Sequence, residues 1–235
     1  MRESDFLMQN FTLPNVIENL LYRMKKTREN PDALPLNGLL CFCGEQGSGK
    51  TLSAVLYCYN VCRRFPKVKL VTNLELFWGD DLPNKIYHYK GVEQMIEMDN
   101  GEEGIIFLID EMHLEFNSLE SKGMDINTFE LVSQQRKARK HIVGTSQVFG
   151  RLAKPFREQF KYAVLCRNYF GLYFRQEIFR AQNVAYEDDI KTELVSQGVR
   201  RFIPSPDMFQ LYDTSQIVRR VNHGSDGNRT FRRCN

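Results

Sequence analysis

A glycine-rich stretch, CGEQGSGKT at residues 43–51, constrains the fold of this chain more than any other feature. An almost wholly apolar run, GLLCFC at residues 38–43, precedes it, and residues Lys50 to Arg64 follow with helical periodicity. The apolar run predicts a short strand that is buried on both faces, as in a parallel sheet. Glycines between a strand and a helix let backbone N–H groups converge on one point, so we predict an anion-binding turn here.

The turn also matches the phosphate-loop pattern G-x-x-x-x-G-K-[ST] from Gly44 to Thr51. In this pattern, Lys50 would reach the β- and γ-phosphates of a nucleotide, and the Thr51 hydroxyl would bind Mg²⁺. The predicted nucleotide-binding residues are Gly44, Glu45, Gln46, Gly47, Ser48, Gly49, Lys50, Thr51 and Leu52. The alternative is a purely structural turn that carries a lysine by chance.

Two carboxylates follow a second apolar run, GIIFLIDE at residues 104–111. Asp110, at the end of a buried strand, is predicted to hold Mg²⁺ through its water shell. Glu111 is the candidate to orient or deprotonate a water that attacks the γ-phosphate, unless it is only a surface acid beside Asp110. The guanine signature N-K-x-D is not met by NKIY at Asn84, so ATP is favoured over GTP.

A third polar cluster, Thr145-Ser146-Gln147, closes the predicted strand HIVGTSQ at residues 141–147. A side chain there could touch the γ-phosphate or the attacking water, and we favour Gln147 for this role. A polar residue that simply ends a strand is the alternative.

Strands and helices alternate along the chain, which predicts an α/β fold with a mainly parallel sheet flanked by helices. An amphipathic helix is expected at residues 15–30, strands at 67–76 and 161–167, helices at 91–98 and 125–140, and a hairpin at 169–184. We divide the chain into an N-terminal helix and linker (1–34), a P-loop core (35–170), and a small β-rich basic C-terminal extension (171–235), expected to belong to the same domain. In such a sheet the three polar clusters meet at the carboxyl ends of the strands.

Charge is distributed unevenly, although 32 basic against 29 acidic residues give a net charge of only +3. Residues 79–130 hold thirteen acidic and three basic side chains, whereas residues 134–161 hold eight basic side chains and one acid, and residues 198–235 hold seven arginines and three acids. These segments are solvated faces, complementary faces of neighbouring subunits, or a surface for a polyanion.

Apolar runs stay well short of the roughly 20 residues that span a bilayer, and the N-terminus lacks a signal-peptide plan, so a cytoplasmic protein is expected. The six cysteines alternate within a strand or lie one helical turn apart, as for Cys58 and Cys62, and are expected to be reduced packing residues.

The order of these motifs resembles the P-loop ATPases of the FtsK/HerA superfamily, in particular Zot-like and viral genome-packaging ATPases. The resemblance covers about residues 38–167 and rests on GEQGSGKT, LVTNLEL, FLIDEMHLEF, QQRKARKHIVGTSQ and PFREQFKYAVLCR, with LYDTSQI as a looser match. It implies an extra strand between the strands of the phosphate loop and of Asp110, a homo-oligomeric ring of six subunits, and ATP hydrolysis at subunit interfaces.

The resemblance assigns Lys50, Thr51, Asp110, Glu111 and Gln147 to the roles given above. It also implies an arginine finger, for which Arg139 is the first candidate and Arg136 and Arg157 are rivals. Zot-like proteins of filamentous phages usually carry a membrane-spanning helix after this domain, and this chain shows none, which favours a soluble motor.

Three functions are therefore compared. The first is an ATP-driven motor that translocates or packages double-stranded or single-stranded phage or plasmid DNA, in the host cytoplasm if the chain is viral, with recruitment to a capsid or membrane. The second is a Zot-like assembly ATPase that acts on protein partners, such as a capsid or membrane-associated protein. The third, a small-molecule kinase, requires an arginine-rich lid that the sequence does not show.

Overall fold

A computed structural model describes residues 13–35, 38–79, 82–116, 138–185 and 195–216 of the 235-residue chain. The strands are β1 Leu39–Cys43, β2 Lys69–Thr72, β3 Ile86–His88, β4 Ile105–Ile109, β5 Lys140–Ser146, β6 Phe160–Tyr169, β7 Tyr173–Arg180 and β8 Gly198–Phe202. The helices are α1 Leu13–Glu29, α2 Lys50–Arg64, α3 Val92–Glu97, α4 Lys154–Arg157, α5 Ala181–Ala185 and α6 Pro206–Phe209.

All eight strands form one sheet in the order β3-β2-β4-β5-β1-β6-β7-β8. The first six strands of this order are parallel, whereas β7 and β8 run antiparallel and form the β-rich extension. Strand β5 lies between β1 and β4, which confirms the extra strand between the phosphate-loop strand and the Asp110 strand. The predicted fold class, a P-loop NTPase with a mainly parallel sheet, is correct.

The central strands are apolar because the sheet is buried on both faces. Helix α2 packs on one face, where Phe42, Ile106, Leu108 and Val143 meet Ala54, Val55, Cys58 and Cys62. On the other face, Ile105, Phe107, Ile109 and Ile142 pack with Phe149 and Phe156 from the segment before β6 and with Phe160, the first residue of β6. All five residues of β4 are buried, so the chain reaches Asp110 on a rigid strand.

Helix α1 has no buried residue, although its apolar residues follow helical spacing as predicted. Its C-terminal end is fixed to the sheet through Asn30, whose side-chain amide bonds Glu102, and through Leu34, which is fully buried. The helix expected at residues 125–140 lies almost entirely outside the described residues. Its predicted C-terminal end is wrong, because Lys140 already begins β5.

The cysteines of the described segments are all buried and free, as expected for packing residues. The sulfurs of Cys41 and Cys43 in β1 lie 3.4 Å apart, and Cys58 and Cys62 lie on the buried face of α2. Among the helices of the described residues, none has the length and apolar character needed to cross a membrane.

Candidate nucleotide-binding site

The glycine-rich turn connects β1 to α2, and three of its glycines adopt positive φ angles: 148° at Gly44, 77° at Gly47 and 82° at Gly49. A side chain would collide at two of them. A Cβ on Gly44 would lie 2.6 Å from the carbonyl oxygen of Cys166, and a Cβ on Gly49 would lie 2.3 Å from the Phe174 ring. Glycine is therefore required for both conformation and space.

Lys50 begins α2 and is buried, with only 7% of its surface exposed. Its ammonium group crosses the turn and donates to the carbonyl oxygen of Glu45 at 3.1 Å. The crest of the turn, Glu45 to Gly47, is exposed. This places the lysine on the inner side of a loop whose outer rim is open, the arrangement expected for a phosphate-binding turn.

Strands β6 and β7 support the turn from the side. The side-chain amide of Asn168 donates to the carbonyl oxygen of Gly47 at 3.0 Å, and Phe174 packs against Gly49. The sequence predicted a hairpin at residues 169–184 that leads into a C-terminal extension of the same domain, but it did not predict these contacts with the phosphate loop. The contacts could have been anticipated from the parallel direction of β6, because its end lies at the carboxyl edge of the sheet, beside the phosphate loop.

Asp110 follows β4 directly and faces the start of α2. Its Oδ1 accepts hydrogen bonds from the Thr51 hydroxyl at 2.9 Å and from the Thr145 hydroxyl at 2.8 Å. Burial raises the pKa of Asp110, and the two hydroxyl hydrogen bonds partly oppose that rise. The carboxylate thus joins the helix of the phosphate loop to the intervening strand β5.

The backbone of Asp110 is fixed by Asn73, the residue after β2. The Asn73 amide donates to the Asp110 carbonyl oxygen and its oxygen accepts the Asp110 N–H, both at 2.9 Å. Gln216 in turn donates to the carbonyl oxygen of Asn73 at 3.0 Å and accepts the N–H of Glu75 at 2.7 Å. The sequence contained Asn73 within LVTNLEL, but gave no reason to assign it to the site.

Tyr212 belongs to the same C-terminal segment and forms an isolated bridge with Leu76. Burial, together with the negative charge of Asp110, raises the pKa of the Tyr212 hydroxyl to about 12. Tyr212, which belongs to the looser sequence match, therefore lies close enough to Asp110 to respond to its charge.

Glu111 has a left-handed backbone conformation, with φ of 50°, which is uncommon for a residue with a side chain. The Thr145 hydroxyl oxygen accepts its N–H at 2.9 Å and so helps to hold this conformation. Its Oε2 lies 3.2 Å from Nδ1 of His113, and 27% of the side chain is exposed. A partly exposed carboxylate next to Asp110 can reach a water molecule.

The remaining predicted residues are not joined to this cluster by a hydrogen bond within the described part of the chain. Gln147 is exposed, and its side-chain oxygen accepts a hydrogen bond from Arg151 at 3.3 Å.

Arg139, the first candidate for the arginine finger, precedes β5 at the opposite edge of the sheet from the turn. Its guanidinium donates to the carbonyl oxygen of Leu34 at 2.6 Å and lies 3.9 Å from Glu102. Arg157 ends α4, and its buried Nε has no hydrogen-bond partner among the described residues.

Arg136 lies outside the described residues. An arginine finger acts on the nucleotide site of a neighbouring subunit. The finger role therefore stays a prediction for Arg136, Arg139 and Arg157, and so does the role of Gln147.

The donor set fits Mg²⁺. Magnesium prefers oxygen ligands and commonly uses one or two carboxylates together with substrate phosphates. The Thr51 hydroxyl and the Asp110 carboxylate supply such oxygens side by side, and Asp110 is buried except for 9% of its surface.

Comparison with solved structures shows the fold. The chain is similar to the N-terminal domain of zonular occludens toxin from Neisseria meningitidis, with a TM-score of 0.53, 16% identity, and coverage of 75% of this chain and 99% of that domain. It is also similar to B204, the DNA-packaging ATPase from Sulfolobus turreted icosahedral virus, with a TM-score of 0.50, 11% identity, and coverage of 73% of this chain and 99% of that chain.

No protein-family model and no curated protein sequence matches the chain. At these identities the similarity establishes the architecture, a P-loop fold like that of these two proteins, and the site residues must be argued from their own geometry.

Proposed function

We propose that this chain hydrolyses ATP with Mg²⁺ and uses the energy to translocate or package DNA. The main structural support for hydrolysis is the hydrogen-bonded group of Thr51, Asp110 and Thr145. Glu111 is attached to this group through its backbone N–H. This group links the phosphate loop to Glu111, and the partial exposure of its carboxylate supports a role in activating water.

Each residue has a defined task in the proposed reaction. Lys50 and the N–H groups of residues 44–52 bind the β- and γ-phosphates, and Thr51 and Asp110 hold the metal. Bound Mg²⁺ neutralises charge on the phosphate oxygens. Glu111 orients the attacking water and accepts its proton, while Thr145 and Asn73 fix the backbone from which Glu111 projects.

DNA is proposed as the substrate of the motor for two reasons. B204, one of the structurally similar proteins, is named as a DNA-packaging ATPase. In addition, residues 134–161 and 198–235 of this chain have a strong excess of basic residues, which suits a sequence-independent grip on phosphate backbones. We propose that the chain acts as a hexameric ring, with a neighbour's arginine, among Arg136, Arg139 and Arg157, completing each site.

A second candidate is an assembly ATPase that acts on a protein partner at a capsid or membrane. The observation that favours it is the similarity to the domain of zonular occludens toxin, of which 99% is covered. The two candidates differ in what stimulates hydrolysis.

The test combines a variant with a stimulation assay. Glu111→Gln should keep Mg²⁺-dependent binding of a fluorescent ATP analogue but lower the hydrolysis rate at least about a hundredfold, because the amide cannot take a proton. Wild-type hydrolysis should rise on addition of DNA, and the stimulation should fall with salt. Full activity in Glu111→Gln would refute the role of Glu111. Failure of double-stranded DNA, single-stranded DNA and RNA to stimulate would refute the DNA motor in favour of the assembly ATPase.

A further inference from the structure

Three arginines form a row across the antiparallel part of the sheet. Arg167 on β6 lies directly opposite Arg175 on β7, and Arg175 lies directly opposite Arg201 on β8. Residues in register on neighbouring antiparallel strands point to the same face, and the strands are about 5 Å apart. The row therefore presents three guanidinium groups side by side.

The charge of this row is poorly compensated. Arg175 and Arg167 share a single carboxylate oxygen, Oε1 of Glu177, at 2.7 and 3.6 Å. Within the described segments, Arg201 takes part in no ion pair, and the buried Nε of Arg175 has no hydrogen-bond partner. Like charges directly opposite each other destabilise a sheet. An external anion would remove this repulsion.

Aromatic residues continue the same surface toward the tip of the β6–β7 hairpin. Tyr169 and Tyr173 form the next pair of the ladder that faces this side, with ring centroids 5.6 Å apart. At the tip, Phe170 is 97% exposed and Leu172 is 70% exposed. Proteins that bind single-stranded nucleic acids combine cations that contact the phosphate backbone with aromatic rings on which the bases stack.

We propose that this face, the arginine row of Arg167, Arg175 and Arg201 with the aromatic tip of Tyr169, Phe170 and Tyr173, binds a single-stranded nucleic acid. The arginines contact backbone phosphates, and the aromatic rings stack on bases. This surface differs from the basic segment at residues 134–161. It rests on the proposed function in that it supplies the grip that a nucleic-acid motor requires.

The position of the row also connects it to the nucleotide site. Asn168, next to Arg167 on β6, donates its side-chain hydrogen bond to Gly47 in the phosphate loop. Phe174, next to Arg175 on β7, packs against Gly49. A displacement of the hairpin by a bound strand would therefore move both residues that support the loop, and ATP turnover would respond to the strand.

The experiment measures the binding of a fluorescein-labelled 30-nucleotide oligo(dT) by anisotropy as a function of salt. The test variant is Arg167→Gln with Arg201→Gln, which leaves the Arg175–Glu177 ion pair intact. The matched control is Arg63→Gln with Arg64→Gln, which removes the same charge. Both arginines are exposed in the last turn of α2, outside the arginine row and outside the basic segments at residues 134–161 and 198–235. A third variant, Phe170→Ser, alters only the exposed tip.

The test variant should bind oligo(dT) at least about fivefold more weakly and lower the salt slope by about 1.4, since each lost phosphate contact of a single strand contributes about 0.7. Phe170→Ser should weaken binding without changing the slope, and the control should bind within about twofold of wild type. All three proteins should bind a fluorescent ATP analogue like wild type.

Three other results would overturn the inference in different ways. Wild-type affinity and slope in the Arg167/Arg201 variant would place the nucleic acid elsewhere and leave the proposed motor intact. Hydrolysis lost in that variant with oligo(dT) binding unchanged would assign the row to nucleotide phosphates. If wild type binds neither oligo(dT) nor duplex DNA, the proposed motor fails together with this surface.

Discussion

Thr145 connects two functional residues with one hydroxyl group. It donates to Oδ1 of Asp110 and accepts the N–H of Glu111, whose left-handed backbone conformation it supports. It is fully buried, so neither bond can be replaced by bulk water. The threonine thus positions both the proposed metal ligand, Asp110, and the proposed base, Glu111.

Thr145→Val keeps the shape of the side chain and removes both hydrogen bonds. We expect a loss of about 1–3 kcal/mol in the free energy of unfolding, because the buried N–H of Glu111 is left unpaired. The pKa of Asp110 should rise further, so activity should require more Mg²⁺. Urea unfolding and Mg²⁺-dependent rates measure both effects. Thr145→Ser, which keeps the hydroxyl, serves as the control, and equal behaviour of the two variants would contradict this role.

The sequence placed a polar cluster at the end of β5 and favoured Gln147, whose role stays a prediction; it did not single out Thr145, which bonds Asp110 and Glu111. The pattern GTSQ shows that polar residues close the strand, yet it does not reveal which of them faces Asp110. That depends on the register of β5 beside β4, where Ile109 is paired with Gly144, and register is fixed only by the assembled sheet. The placement of Lys50 and Thr51 at the start of α2, and of Asp110 at the end of a buried strand, was predictable because the local sequence specifies both.

The packing of α2 against β5 contains a buried histidine. His141 donates from Nδ1 to the carbonyl oxygen of Gly38 at 2.7 Å, since a carbonyl can only accept, and its Nε2 therefore accepts from the Tyr57 hydroxyl at 2.9 Å. Burial lowers the pKa of His141 from 6.5 to about 4, against a smaller opposing effect of the Gly38 bond.

This histidine should make stability fall in mild acid. Between pH 6.5 and about 4 the unfolded chain binds a proton that the native chain does not, so the free energy of unfolding decreases as pH is lowered. The contribution of this histidine to the free energy of unfolding is of order 3 kcal/mol. It is fully present above pH 6.5 and lost near pH 4. Urea unfolding at several pH values should show this slope in wild type and a shallower one in His141→Asn. Parallel curves for the two proteins would refute the assignment.

At the level of elements, the long apolar strands and α2 were predictable, whereas β3 and β8 were missed. Both are short edge strands with polar residues, IYH and GVRRF, and neither shows a clean alternation. Their strand conformation depends on pairing with β2 and β7, which local sequence does not encode.

For the whole molecule, the alternation of strands and helices predicted a mainly parallel sheet, and the order of motifs implied the extra strand between β1 and β4. They also implied a ring, and the uneven charge of the chain is compatible with subunits that meet head to tail. In such a ring, neighbouring subunits complete each other's sites, so inactive subunits should impair active ones.

Mixing wild type with Lys50→Ala subunits tests this cooperation. Lys50→Ala removes the cation that we propose to bind the phosphates but leaves the outer surfaces of the subunit unchanged, because Lys50 is buried. If subunits act together, an equimolar mixture should retain well under half of the wild-type ATPase rate per total protein, with DNA present to promote assembly. Subunits that act independently would retain half of the wild-type rate in this mixture. A rate that falls in strict proportion to the fraction of wild type would therefore contradict the ring. Sedimentation of the same mixtures shows whether the two kinds of subunit enter one particle. Glu111→Gln with ATP serves as the reference for the assembled state.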